Sequence, residues 1–158
     1  SSDLYAENDL RLDKYFAETD EKGFRKNKKA GSNNYLCTFR VGEIYLTAAE
    51  AAARLGELSQ ARTRLLELMR KRYAPEAYEA KSVVVNAMDK EALVQEILDE
   101  RARELAFEGH RWFDLRRSTR PRLEKVLDGT RYVLEENDAR YTLAIPKEAI
   151  EANPGLLN

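Results

Sequence analysis

Glu100, Glu104 and Glu108 stand four residues apart. On a helix advancing about 100° per residue they fall close to one face, an arrangement that suggests half of a dimetal carboxylate site. Such sites also want a Glu-x-x-His pair on each of two helices. The single histidine, His110, does not stand three residues after a glutamate. The glutamates are therefore better explained as ion-pair partners of Arg101, Arg111 or arginines on neighbouring helices, and no metal site is expected. His110 has no Gly-x-Ser-x-Gly elbow to serve and no meaningful spacing to Cys37, so a hydrogen-bonding role is expected of it and no catalytic residue is assigned. Cys37 is the only cysteine; alone it allows neither an intrachain disulfide nor a multi-cysteine zinc site, and it is expected to pack as a small apolar residue. Trp112 is able to stack on a ring, but its place among Phe107, Phe113 and Leu115 reads as a buried anchor.

Tyr73 and Tyr78 differ, because the stretch from Tyr73 to Asp89, with Pro75 and the run Val83-Val84-Val85, reads as a connection. Loops on rigid scaffolds often bind, and an exposed aromatic face suits the apolar side of a pyranose. These two tyrosines are the candidate ligand contacts. No cofactor is expected.

The element that must position the glutamates begins at Asp89, a reasonable N-cap, and is expected to close at Gly109. Val94, Ile97, Leu98 and Leu105 form its apolar stripe. Arg101, Glu104 and Glu108 project within about 40° of Ile97, whereas Glu96, Asp99 and Arg103 point away. Charges on a core-facing side persist only when paired, so the spacing predicts a buried network of Arg101, Glu104 and Glu108, with Trp112 anchoring a second short helix over His110 to Arg117. Upstream, Val41, Ile44, Tyr45, Ala48, Ala52 and Leu55 recur at helical steps within Phe39 to Leu55. Gly56 supplies a stop, and Leu58, Ala61, Leu65, Leu68 and Met69 mark a second helix from Ser59 to Arg72, antiparallel to the first. The spacing of Tyr45, Ala49, Gly56 and Ala61 is similar to one tetratricopeptide unit, although a solenoid needs about three or more.

Residues 1–34 read as a polar, weakly structured lead-in, with a weak hairpin across Asp20-Glu21-Lys22-Gly23 and a basic linker over Lys26 to Asn34. After the break at Ser118-Thr119-Arg120-Pro121, Arg131 to Leu134 and Tyr141 to Ile145 are expected to pair as a small carboxy-terminal β-hairpin. One helical turn between Pro146 and Pro154 follows. The fold class expected is mainly α, a single domain over 1–158 built from a tetratricopeptide-like helix pair plus packed helices.

Composition bounds the function. With 27 basic against 28 acidic residues in 158, nothing global argues for a nucleic-acid or anionic-membrane partner. No apolar run approaches the ~20 residues needed to span a bilayer, and the start, Ser-Ser-Asp-Leu-Tyr, lacks the features of a signal peptide. A chain beginning this way is expected to be a mature or excised piece of something longer.

The order Glu-Arg, Glu-Leu, Phe-Glu-Gly, Arg-Trp-Phe-Asp-Leu-Arg-Arg resembles the signature of the SusD/RagB family of outer-membrane nutrient-binding lipoproteins. Arg40 to Ala51 is similar to that family's helix-opening segment, and Ile145-Pro146 with Asn153-Pro154 resembles its closing motif; together these cover Tyr35 to Asn158. Family members are longer and carry a signal peptide, a lipidated cysteine, which Cys37 cannot be, and several tetratricopeptide-like pairs, so the resemblance implies the carboxy-terminal part of such a protein. It also implies capture without catalysis: oligosaccharides or other nutrients held at the surface-exposed face of the outer membrane and delivered to a TonB-dependent, SusC-like transporter. Membrane attachment would come only through a lipid anchor absent from this chain. The matching motifs are packing and ion-pair residues, so the resemblance transfers no ligand contact by itself. The rival reading is an intracellular tetratricopeptide-type scaffold for protein–protein interaction.

Overall fold

A computed structural model describes residues 4–29, 40–153 and 155. Cys37, most of the segment between Lys29 and Arg40, and Pro154 lie outside the described residues, and with them the expected packing of that thiol and the rest of the basic linker. The chain divides into two compact units, 1–111 and 112–158, where the sequence reading expects one domain. The architecture is mainly α, with two small hairpins.

In the first unit, α1 (Arg11–Tyr15) leads into a hairpin of β1 (Phe16–Thr19) and β2 (Arg25–Asn27). The Asp20 carboxylate fixes the turn by accepting from the backbone N–H groups of Lys22 (3.0 Å) and Phe24 (2.8 Å), and Gly23 takes the left-handed φ of 80°. The lead-in thus contains the expected hairpin, and its Tyr5, Tyr15 and Phe16 are buried together. The first arm of that hairpin is short, because Arg11–Tyr15 before it is helical, and the segment is tied to the chain before α4: Leu10 N–H donates to Arg72 O and Ala74 N–H to Asn8 O.

Helices α2 (Val41–Leu55) and α3 (Leu58–Met69) form the expected pair. Gly56 ends α2 at φ 87°, its N–H reaching the Ala52 and Ala53 carbonyls, so two residues suffice to turn the chain back. Ala49, Ala53 and Ala61 are wholly buried beside Leu46, Leu65 and Met69; small side chains at these places let the helices close on one another. The stretch expected as a connection is a helix, α4 (Pro75–Ala87). Proline at the first helical position loses no hydrogen bond, and Ala74 before it is extended, as that position prefers. Pro75 therefore starts a helix where it had been read as a loop residue.

Asp89 caps α5 (Lys90–Glu104) as expected, its carboxylate accepting from Ala92 N–H at 2.8 Å. The helix stops at Glu104 rather than at Gly109. Residues 105–109 are a turn in which Phe107 (φ 67°) and Gly109 (φ 82°) both take left-handed backbone. Phe107 meets Phe16 edge-on, centroids 5.4 Å apart.

That next helix is α6 (His110–Arg117), which crosses from the first unit into the second. Trp112 stacks on the buried Tyr141, centroids 5.2 Å apart and planes within 10°, while Phe113, expected as an apolar contact, is exposed. The carboxy-terminal hairpin exists, but its arms are β3 (Leu123–Leu127) and β4 (Thr130–Leu134) around Asp128-Gly129. Asp-Gly supplies the two positive φ values, 48° and 76°, that a tight two-residue hairpin turn requires. Tyr141, expected in the second arm, lies in a 3-10 turn (Ala139–Tyr141) whose Asp138 cap accepts from Arg140 N–H. The short helix α7 (Lys147–Ala152) follows Pro146.

Candidate functional site

The charged stripe of α5 is buried, but with other partners than spacing suggested. Glu104 is wholly enclosed. It accepts from Arg72 through Nε (2.7 Å) and Nη2 (2.8 Å), from Arg11 Nη1 (3.2 Å) and from Arg40 Nη2 (3.4 Å). Glu100, one turn earlier and equally enclosed, accepts from Arg11 Nη1 (2.7 Å), Arg103 Nε (2.8 Å) and the Tyr73 hydroxyl (3.1 Å). Glu108 binds Arg40 Nη1 at 2.6 Å and the Lys29 ammonium. Arg101, expected at the centre, instead meets Thr47 Oγ1 (3.2 Å) and Glu43 (3.7 Å) among the described residues. Arg103, expected to point away, is buried and bridges Glu100 and Glu96. The reason is that α5 is covered on two sides, by α2 and by the amino-terminal segment, so its buried arc is wider than the apolar stripe implies.

Arg11 is the residue that sequence reasoning missed. Its guanidinium is 2% exposed and donates to Asp9 through Nε and Nη2, to both glutamates through Nη1, and to the Tyr73 hydroxyl. Burial works against its charge, but the Asp9 hydrogen bonds and the Glu100 carboxylate hold its pKa above the ordinary arginine range. Burial likewise opposes ionised Glu104, yet the hydrogen bonds and charges of Arg72, with Arg11 and Arg40 behind them, hold that carboxyl below its ordinary value. Gly42 of α2 is part of the same construction: a Cβ there would lie 2.7 Å from Glu104 Oε1. Five carboxylates (Asp9, Glu96, Glu100, Glu104, Glu108) thus face five cations (Arg11, Lys29, Arg40, Arg72, Arg103). This is a self-neutralised lattice that holds helices together, with its carboxylates engaged by cations. Among the described residues no group of three His, Cys, Asp or Glu is arranged to hold a metal ion.

The two tyrosines proposed as ligand contacts are not alike. Tyr73 is 3% exposed, its ring between the Arg11 guanidinium (5.3 Å) and the Lys81 ammonium (4.8 Å). Burial, reinforced by the Glu100 charge, pushes its hydroxyl well above the ordinary tyrosine range. It lies between α3 and α4, as expected, but it presents no open face, which corrects the expectation of an exposed aromatic. Tyr78 sits on α4, half-buried against the core. His110 is half-exposed, 3.7 Å from Glu43.

The concavities formed by described residues of the first unit include three shallow ones. One of about 260 Å³ lies on the amino-terminal hairpin among Asp13, Glu18, Thr19, Arg25 and Lys28. Another of about 200 Å³ lies among Met69, Lys81, Val84, Val85 and Met88. The third, about 350 Å³, is open and lined by Arg54, Lys90, Glu91 and Val94. Phe16 borders the first, but its ring is buried.

The SusD family model matches residues 4–158. Among solved structures, the SusD-like carbohydrate-binding protein of Bacteroides vulgatus superposes with a TM-score of 0.64 at 20% identity, over 98% of this chain and 40% of that one. No curated protein matches. The chain therefore spans less than half the length of the solved relative, and at this identity the likeness speaks for fold.

Proposed function

The chain belongs to the SusD family, and from that membership we propose that it is the carboxy-terminal part of a longer protein that captures nutrients, oligosaccharides first among them, without catalysis. The proposal extends to where this happens: at the surface of the outer membrane, the parent being held by a lipid anchor and passing its cargo to a TonB-dependent, SusC-like transporter. The observation that carries it is the match over 4–158, supported by the naming of the solved relative as a carbohydrate-binding protein.

The arrangement of the chain fits a scaffold role. Its most elaborate construction is an ion lattice whose carboxylates are paired, and sugar capture needs aromatic faces with convergent polar groups in a concavity. Of the two tyrosines first nominated, Tyr78 alone keeps a partly open ring. This part therefore contributes at most one wall of the site. The rival tetratricopeptide-type scaffold rests on the single pair α2–α3, which the family fold also accommodates.

Calorimetric titration of this chain and of its full-length parent against a panel of oligosaccharides tests the reading. The parent binds, the isolated chain binds weakly or not at all, and Tyr78→Ala in the parent weakens the affinity. Tight binding by the isolated chain would relocate the site, and silence of the parent across the panel would reject the glycan assignment.

A further inference from the structure

The groove closed by α3, α4 and α5 has an apolar floor and a lysine at its lip. Met69, Val85 and Met88 supply the floor, and Val84, 58% exposed, forms one side. Lys81 is half-buried there, with its ammonium over the Tyr73 ring. Its neighbours three and four residues away on α4 are Ala77, Tyr78, Val84 and Val85, so neither carboxylate of its own helix, Glu76 or Glu79, stands at a facing position. Among the described residues none pairs with it from elsewhere.

The acid at the other end, Glu96, is already held by Arg103 Nη2 at 2.6 Å. A second cation lies close by: Arg62 donates to the Val85 and Met88 carbonyls at the carboxy-terminal end of α4. Two cations, Lys81 and Arg62, thus border an apolar surface whose one carboxylate is paired.

We propose that this groove binds a small monocarboxylate, its short alkyl or aryl tail against the methionines and valines and its carboxylate on Lys81. A neutral sugar finds no set of converging donors and acceptors here, and an amine meets like charge. The volume, about 200 Å³, falls below the usual range for drug-sized ligands, which limits the tail to a short one. Met69 and Met88 bring unbranched thioether chains that adapt to tails of different shape. The carboxylate gains a charge-assisted hydrogen bond from an ammonium that has no anionic partner among the described residues. The proposal is independent of oligosaccharide capture, since no sugar takes part.

Amide shifts in the whole 158-residue chain, followed by NMR during titration with hexanoate, hexanamide and acetate, test it. Hexanoate should move the Val84, Val85 and Met88 amides saturably. Hexanamide, the same tail without charge, should bind several-fold more weakly, and acetate, the same charge without a tail, should leave those amides in place. Lys81→Gln should bring hexanoate down to the level of hexanamide, and Lys81→Arg should restore it. Equal binding of hexanoate and hexanamide to the unaltered chain overturns the proposal. So does undiminished hexanoate binding by Lys81→Gln, or shifts that scatter over the surface without saturating. Should Lys81→Gln fail to fold, the comparison of the two ligands on the unaltered chain decides alone.

Discussion

Arg11 engages three carboxylates and a tyrosine hydroxyl from a position almost closed to water. Removing such a group leaves Asp9, Glu100 and Glu104 short of a counter-charge in a place where water does not replace it. Breaking a buried pair in this way costs roughly 3–5 kcal/mol. Arg11→Ala should lose about that much in urea denaturation, whereas Arg64→Ala, which breaks an exposed pair with Glu67, should stay within about 0.5 kcal/mol. Equal stability of the two variants would remove Arg11 from the centre of the lattice. Gly42 is tested from the opposite direction. One added methyl meets Glu104 Oε1 at 2.7 Å, so Gly42→Ala must either shift α2 from α5 or turn the carboxylate away from Arg40 and Arg72. Overpacking of this kind costs about 1–3 kcal/mol, although alanine is the better helix former. A neutral or stabilising result in the same denaturation would show that the lattice yields easily.

At the scale of elements, the second unit offers a hairpin whose turn is specified by two residues. Gly129 stands at φ 76° in the β3–β4 turn, and a β-branched residue forced there costs about 1–2 kcal/mol. Gly129→Val should weaken the cross-strand contacts between Lys125 and Tyr132 seen by NMR while leaving α2 to α5 protected against hydrogen exchange. Intact contacts would mean the strands, not the turn, hold the register. The Asp-Gly pair between Leu123–Leu127 and Thr130–Leu134 is a legible hairpin signal, whereas Tyr141 to Ile145 resembles a strand in sequence but begins in a 3-10 turn. Helices α2 and α3 were readable from apolar steps and Gly56 because a local pair settles its own packing. Helix α4 is hidden by Pro75, which marks a helix start as readily as a loop, and with it the placement of Tyr78; the burial of Tyr73 comes from the amino-terminal segment instead. The candidate network was legible in part. Spacing showed that Glu104 must be compensated, but Arg11 lies 93 residues away in sequence, and no periodicity on α5 reports a cation arriving from another segment. Arg103 was misplaced for the same reason, since a helix covered on two sides buries more than its apolar face.

For the first unit as a whole, the lattice links folding to pH at both ends of the scale. The Glu104 carboxyl is held below its ordinary value of 4.5. A depressed carboxyl contributes stability that is present above the ordinary value and is lost as pH falls through the lower, folded one. The tyrosines act in the opposite sense. Burial raises the Tyr5, Tyr15 and Tyr73 hydroxyls above their ordinary value of 10, so their contribution is complete below that value and is lost as pH rises through the raised ones. Lys29, lowered by burial against the pull of Glu108, works against this alkaline loss, because shedding its proton relieves a buried charge. Chemical denaturation followed across the pH range should therefore show a plateau bounded by an acid limb and an alkaline limb. Glu104→Gln should shallow the acid limb and Tyr73→Phe the alkaline one, and Tyr73→Phe should leave the acid limb in place. The difference between variant and unaltered chain is the quantity to follow, read on the acid limb for Glu104→Gln and on the alkaline limb for Tyr73→Phe. An acid limb identical in Glu104→Gln would mean that this carboxyl does not link folding to protons, and the lattice would then act through packing and hydrogen bonding alone.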